Sequence, residues 1–197
     1  MAMAPITKQR LASAHDLDLV GLAAAGDRSA FGELVRRHGA AVRGLLRRMG
    51  ADPATADDMA QDAFLTAFEQ IAEFRGEGAF RGWVSRIAAR LYVKRWRREA
   101  RADLLADAGE LEAAGAAPGV AADARIDLDD ALKSLSAPER VCVSLCYGAG
   151  LSHAEAAAAL NAPLGTVKSH VKRGLDRLRA RLATGAGGVE REAGARG

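Results

Sequence analysis

Aromatic side chains are scarce in this chain, 5% of its 197 residues, and that scarcity limits the core it can build. Hydrophobic residues make up 49%, but alanine supplies much of that share. Alanine favours helix and buries little area, which points to small all-helical modules. No stretch keeps the strict alternation of a half-buried strand. No run of about eighteen apolar residues is present, so no membrane insertion is expected. The opening MAMAPITKQRLASAHD lacks the apolar centre of a secretion signal, and a cytoplasmic location is expected. Cysteine is limited to Cys142 and Cys146, one helical turn apart, which read as buried small hydrophobes. A metal pair there would need further ligands, and His153 alone does not make a site. No histidine and carboxylate group has catalytic spacing. No glycine loop leads into a helix carrying a phosphate-binding lysine. The chain is therefore expected to be no enzyme and to hold no cofactor or metal.

What is there is concentrated charge. The formal net charge is only +3, but the basic residues cluster, which favours local anionic contacts over a generally adhesive surface. The clearest cluster closes Leu151–Leu182, LSHAEAAAALNAPLGTVKSHVKRGLDRLRARL. Ser152 and Glu155 form an S-x-x-E capping box at a helix start. Ala154, Ala157, Ala158 and Leu160 leave a small apolar face on which another helix can pack closely. Asn161-Ala162-Pro163 ends that helix, because proline disfavours helical geometry in the residue before it. A second helix is expected from about Leu164, with Val167, Val171, Leu175 and Leu178 at helical spacing. Its other face carries Thr166, Lys168, Ser169, Lys172 and Arg173. Two helices across a tight turn, the second short-polar at its start and basic along its side, have the layout of a helix-turn-helix DNA reader.

Residues 1–15 show no periodicity and read as a loose arm. A first module is expected over 16–102. Asp16–Ala25 reads as a short helix, and Asp27 caps the next. That helix keeps Phe31, Leu34, Val35, His38, Val42, Leu45 and Leu46 on one stripe and ends at Gly50. His38 on that stripe reads as a partly buried core histidine rather than a ligand. Asp52-Pro53 opens a further helix. Its buried face is Met59, Ala60, Ala63, Phe64, Ala67, Phe68 and Ile71, and Asp57, Asp58, Gln61, Asp62 and Glu69 lie opposite. Such an acidic face is either simply solvated or a docking surface for a basic partner. Arg75–Ala79 is a glycine-bearing loop. After it Phe80, Trp83, Val84, Ile87, Ala88 and Leu91 share one helix face. Between Arg75 and Arg101 nine lysines and arginines oppose only Glu77 and Glu99. Tyr92 and Trp96 sit within this basic run, a combination suited to melted nucleic acid, where bases stack on rings and phosphates meet guanidinium groups. Trp83 reads as core, and Trp96 stays open between core and base stacking.

From 103 to 124 alanine and glycine dominate and the charges are acidic, which reads as a flexible acidic linker. A second module is expected over 125–183. Leu128, Ala131, Leu132 and Leu135 mark its first helix. Ser136-Ala137-Pro138-Glu139 is a second capping box. The apolar run Val141, Cys142, Val143, Leu145, Cys146 forms its buried centre. Residues 184–197 read as a disordered tail.

Three stretches, taken together, resemble the extracytoplasmic-function sigma factors of bacterial RNA polymerase, in the sigma-70 family. They are ADDMAQDAFLTAFEQI, FRGWVSRIAARLYVKRWRRE and LSAPERVCVSLCYGAGLSHAEAAAALNAPLGTVKSHVKRGLDRLRARL. TVKSHV alone also resembles the recognition helix of two-component response regulators; the three in this order are far more specific. The resemblance implies two helical domains, sigma two and sigma four, with no separate sigma three. It implies that Asp57, Asp58, Gln61 and Asp62 dock on core polymerase, at its beta-prime clamp helices, with the beta flap a further contact. It implies that Arg75, Phe80, Arg86, Arg90, Lys94, Trp96 and Arg97 hold open the −10 element and capture a flipped base. Thr166, Lys168, Ser169, Lys172 and Arg173 would then meet the −35 element in the major groove. The linker would run toward the RNA exit path, and an anti-sigma factor is an expected partner. The competing reading is a stand-alone helix-turn-helix regulator, which leaves the acidic face and the first basic helix without a role.

Overall fold

The computed structural model describes residues 8–76, 78–106 and 128–193. Every regular element among them is helical, as the alanine-rich composition leads one to expect. The chain divides into two compact units. One comprises the described residues up to Arg47 together with Ala51–Tyr92; the other comprises Arg48–Gly50 and the described residues from Val93 onward.

The first unit opens with α1 (Lys8–Ser13), α2 (Asp16–Ala24) and α3 (Arg28–Met49). Helix α1 falls where a loose arm was expected, and its anchor explains why. Arg37 on α3 donates through Nη2 to the carbonyls of Leu11 (3.0 Å) and Ala12 (2.9 Å). Through Nη1 it donates to the carbonyl of Ala14 (2.8 Å) and to Asp16 Oδ1 (2.9 Å). One guanidinium thus satisfies the carbonyls that a helix C-terminus leaves unpaired, and Leu11 is buried beneath it. Glu33 accepts hydrogen bonds from Arg36 and Arg37, which hold its carboxyl down at about 2 from the ordinary 4.5. His38 is partly buried, with Nε2 2.7 Å from Asp16 Oδ2. It is a core histidine with a partner, as its place on the apolar stripe implies.

Asp27 caps α3, accepting from the backbone N–H of Ser29 (2.8 Å) and Ala30 (3.2 Å). Asp52 caps α4 (Pro53–Glu69) by accepting from Thr55 N–H at 3.1 Å. Helices α3 and α4 meet through edge-on aromatic contacts, Phe31 with Phe64 and with Phe68, ring centres 6.4 and 4.9 Å apart. A 3-10 turn (Ile71–Glu73) and the Arg75–Ala79 loop lead to α5 (Phe80–Ala106). Gly76 and Gly78 take φ of 74° and 87°, the left-handed region open to glycine at little cost. Helix α5 continues through 103–106, where the linker was expected to begin; RADLLA contains no helix breaker. The remainder of that linker lies outside the described residues.

The second unit contains α6 (Leu128–Lys133), α7 (Ala137–Val143), a π-helical turn (Ser144–Gly148), α8 (His153–Leu160) and α9 (Leu164–Ala193). Val141, Cys142, Val143 and Leu145 are buried and form the centre of this unit; Cys146, expected there too, is only half-buried, because it lies in the π-helical turn where the run ends. Ala131, Leu132, Leu135 and Leu178 close around Val143. Helix α9 runs on through Ala193 instead of ending near Thr184; Gly185, Gly187 and Gly188 disfavour helix, but no proline follows Pro163 to forbid it. The last four residues lie outside the described set.

Candidate nucleic-acid and polymerase interfaces

The cap and the turn of the helix-turn-helix are built as their sequence directs, but α8 packs through Ala156 and Ala157 and leaves Ala154 and Ala158 exposed, with Leu160 half-buried, because the neighbouring helices meet it one residue round from the expected face. Ser152 Oγ accepts from Glu155 N–H (3.2 Å), and Glu155 Oε2 accepts from Ser152 N–H (2.8 Å). The end of α8 is set by Asn161, whose φ of 52° and ψ of 44° place it in the left-handed region. Its backbone N–H bonds back to Ala158 (3.2 Å), and that of Ala162 to Ala157 (3.0 Å). Proline spacing located this stop, but asparagine makes it, since its short polar side chain tolerates left-handed geometry.

On α9, Val167, Val171 and Leu178 are buried and Leu175 is partly so. Thr166, Lys168, Ser169, Lys172 and Arg173 are all exposed. The first turn is short-polar and the next two are basic, the arrangement that lets a helix start approach base edges while its flank meets phosphates. Arg177, one turn beyond Arg173, extends the same stripe and is not among the residues expected at the −35 element. Both arginines reach back to Glu139 of α7, Arg177 Nη1 at 2.7 Å and Arg173 Nε at 3.8 Å. In sequence Glu139 shows only as half of a capping box. The periodicity of α9, which puts 173 and 177 on one face, was the signal that could have paired them with it.

Along α5, Arg86, Arg90, Lys94 and Arg97 recur at intervals of four and three, one stripe of a helix. Arg86, Arg90 and Lys94 are exposed, and Arg97 is half-buried. Arg75 is exposed in the loop before the helix, and Trp96 is half-buried. Phe80 departs from expectation. It is 1% exposed, packed against Phe74, Trp83 and His38 with ring centres 5.8, 5.7 and 5.6 Å away. A ring enclosed on these sides belongs to the core and cannot stack on a base. The sequence placed it beside a basic loop, but packing turned it inward.

Asp57, Asp58, Gln61 and Asp62 are exposed on α4, with Asp57 3.4 Å from Arg43 Nε. Beside them, a groove of about 780 Å³ runs between α3 and α4, lined by Phe31, Val35, Ala60, Phe64, Leu65 and Phe68 among others. Leu65 on its rim is 62% exposed, an apolar residue missing from the sequence reading because it lies off the buried stripe. Among the described residues no group of three metal-ligating side chains occurs. Burial pushes the Cys142 thiol up to about 11, with Cys146 adding to the effect, so it stays protonated and a poor ligand at neutral pH.

Known proteins share this division of the chain. The family model for Sigma-70 region 2 matches residues 34–102, and that for Sigma-70, region 4 matches residues 131–180. The chain belongs to the extracytoplasmic-function sigma factors of the sigma-70 family. It is 34% identical over 175 residues to the RNA polymerase sigma factor NccH of Alcaligenes xylosoxydans xylosoxydans, covering 85% of this chain and 94% of that one. It is 36% identical to the ECF RNA polymerase sigma factor SigE of Mycolicibacterium smegmatis over 81% of its own length and 65% of that protein. A co-crystal structure of the sigma factor RpoE with the anti-sigma factor NepR from Bartonella quintana matches with a TM-score of 0.53 at 25% identity. That match covers 78% of this chain and 96% of RpoE. This sigma factor therefore carries region 2 on α3–α5 and region 4 on α6–α9, and a free-standing DNA regulator is not favoured. None of its helices among the described residues is long and apolar enough to cross a membrane.

Proposed function

We propose that this sigma factor divides promoter selection among three faces, acting in the cytoplasm as a non-enzymatic subunit of RNA polymerase. The acidic side of α4, through Asp57, Asp58, Gln61 and Asp62, docks on core polymerase at the beta-prime clamp helices. The beta flap supplies a further contact. Arg75 in its loop and Arg86, Arg90, Lys94 and Arg97 along α5 hold the melted −10 strand, their charge meeting phosphates while Trp96 offers a ring edge. Thr166, Lys168, Ser169, Lys172 and Arg173 enter the −35 major groove. Phosphate contacts supply salt-sensitive affinity, and the short side chains near the start of α9 supply base discrimination. The observation that carries this reading is the exposure of all five α9 side chains on the helix that follows a left-handed Asn161 turn. The groove beside Leu65 suits an amphipathic segment of an anti-sigma factor, which would compete with core polymerase for this region.

Run-off transcription from a pool of genomic promoter fragments tests the proposal. Core polymerase with this protein is expected to give discrete new starts that share two spaced elements. Tight duplex binding by the protein alone, with no new starts, would favour a stand-alone regulator.

A further inference from the structure

Glu139 is 3% exposed, a burial that charged groups reach only when paired. Its partners come from two directions. From its own helix start, the backbone N–H of Ser136 donates to Oε2 at 3.2 Å. From α9, Arg177 Nη1 donates to the same oxygen at 2.7 Å, and Arg173 Nε stands 3.8 Å from Oε1. On its far side, Arg173 Nη2 lies 3.2 Å from His170 Nδ1. The Arg173 guanidinium is thus bracketed, yet its side chain remains 59% exposed and its outer edge is open.

Arginine reads guanine through a planar fork, and its usefulness depends on the fork's direction. A long side chain that must be immobilised on binding loses rotamer freedom at that moment; one already restrained loses less. Lys168 and Lys172 are point charges on flexible stems and gain nothing comparable from being aimed. We infer that Glu139 is a positioning residue for −35 readout: it aims Arg173 at the base edges and uses Arg177 as the anchor that keeps its own charge compensated. The inference rests on the proposed placement of α9 in the −35 groove and adds which arginine reads bases and what directs it.

The test uses the full chain with core polymerase and a promoter duplex found by run-off transcription, with each −35 base pair substituted singly. A non-promoter duplex measures affinity without sequence. Arg173→Ala is expected to flatten the penalty at one or two positions, and Glu139→Gln to reduce it at those same positions at least threefold. Glu139→Gln keeps non-promoter affinity equal or higher, because the amide retains an acceptor for Ser136 and frees arginine charge. Combined with Arg173→Ala, it adds no further loss. Equal losses on promoter and non-promoter duplexes would make Glu139 merely structural and overturn the inference. So would unchanged penalties in Glu139→Gln where Arg173→Ala removes them, with the −35 reading left standing. If Arg173→Ala changes no penalty, the base-reading assignment itself fails. Should Glu139→Gln not fold, Glu139→Asp keeps the charge but withdraws it from Arg173, and carries the same expectation and the same overturning results.

Discussion

Phe80 shows how far a single residue's chemistry can mislead. An aromatic ring at the start of a basic helix, just after a glycine loop, has the chemistry of a base-stacking group. Its burial between Phe74, Trp83 and His38 makes it a support for the loop instead. Phe80→Ala is expected to cost about 3–5 kcal/mol, the range for deleting a buried phenyl ring. The loss should appear as a lower midpoint in urea or thermal unfolding. A change confined to DNA binding, with stability intact, would return Phe80 to the interface. Exposed and charged residues were easier to read. Arg75, Lys168 and Lys172 lie at the surface as expected, because charged side chains stay in water unless a buried partner draws them in, and the short polar Thr166 and Ser169 lie there with them. Glu139 is the exception, a buried carboxylate whose charged partners arrive only with α9.

At the scale of elements, helix starts were legible and close packing was not. Asp27, Asp52 and the Ser152–Glu155 pair all cap as read, because a cap acts within three residues of itself. Gly174 gave no such local sign. It is buried in α9, and a Cβ added there would lie 2.8 Å from Val143 Cγ2, 3.5 Å from Leu135 Cδ1 and 3.6 Å from Glu139 Cβ. Helical alanine is intrinsically better than glycine by up to ~1 kcal/mol. Overpacking against a β-branched neighbour in the core costs ~1–3 kcal/mol. Gly174→Ala is therefore expected to lower the melting temperature, and adding Val143→Ala should recover part of the loss. A rise in melting temperature for Gly174→Ala alone would mean that α9 does not sit this close to α7. The lengths of α1 and α9 escaped the sequence reading for a related reason. Helix α1 depends on Arg37, more than twenty residues away, and α9 continues past Gly185, Gly187 and Gly188, which signal an end in sequence but do not impose one as proline would.

For the whole molecule, the balance of charge matters more than its total. A net +3 hides a basic stripe on α5, a basic face on α9 and an acidic face on α4. Separating the two signs lets one chain meet both a protein partner and nucleic acid, since each surface selects its complement. Asp58→Arg with Asp62→Arg is expected to weaken association with core polymerase at least tenfold and to leave thermal unfolding unchanged, because both side chains are exposed. Unchanged association in a competition assay would remove the docking assignment from α4. The apolar groove beside that face did not announce itself in the sequence. Phe31, Phe64 and Phe68 read there as buried stripe, and only the packing of α3 on α4 shows that these rings also line an open groove beside Leu65.

The sequence alone determined that the chain is helical, where most helices begin, which faces of α3, α4 and α9 are apolar and where positive charge gathers. These follow from short-range effects: periodicity, capping and the cost of burying charge. Tertiary structure decided which aromatic rings face inward, how closely α9 approaches α7, and which carboxylate holds the arginines of α9. Those depend on residues far apart in sequence being brought within a few ångströms, and neither spacing nor composition encodes that distance.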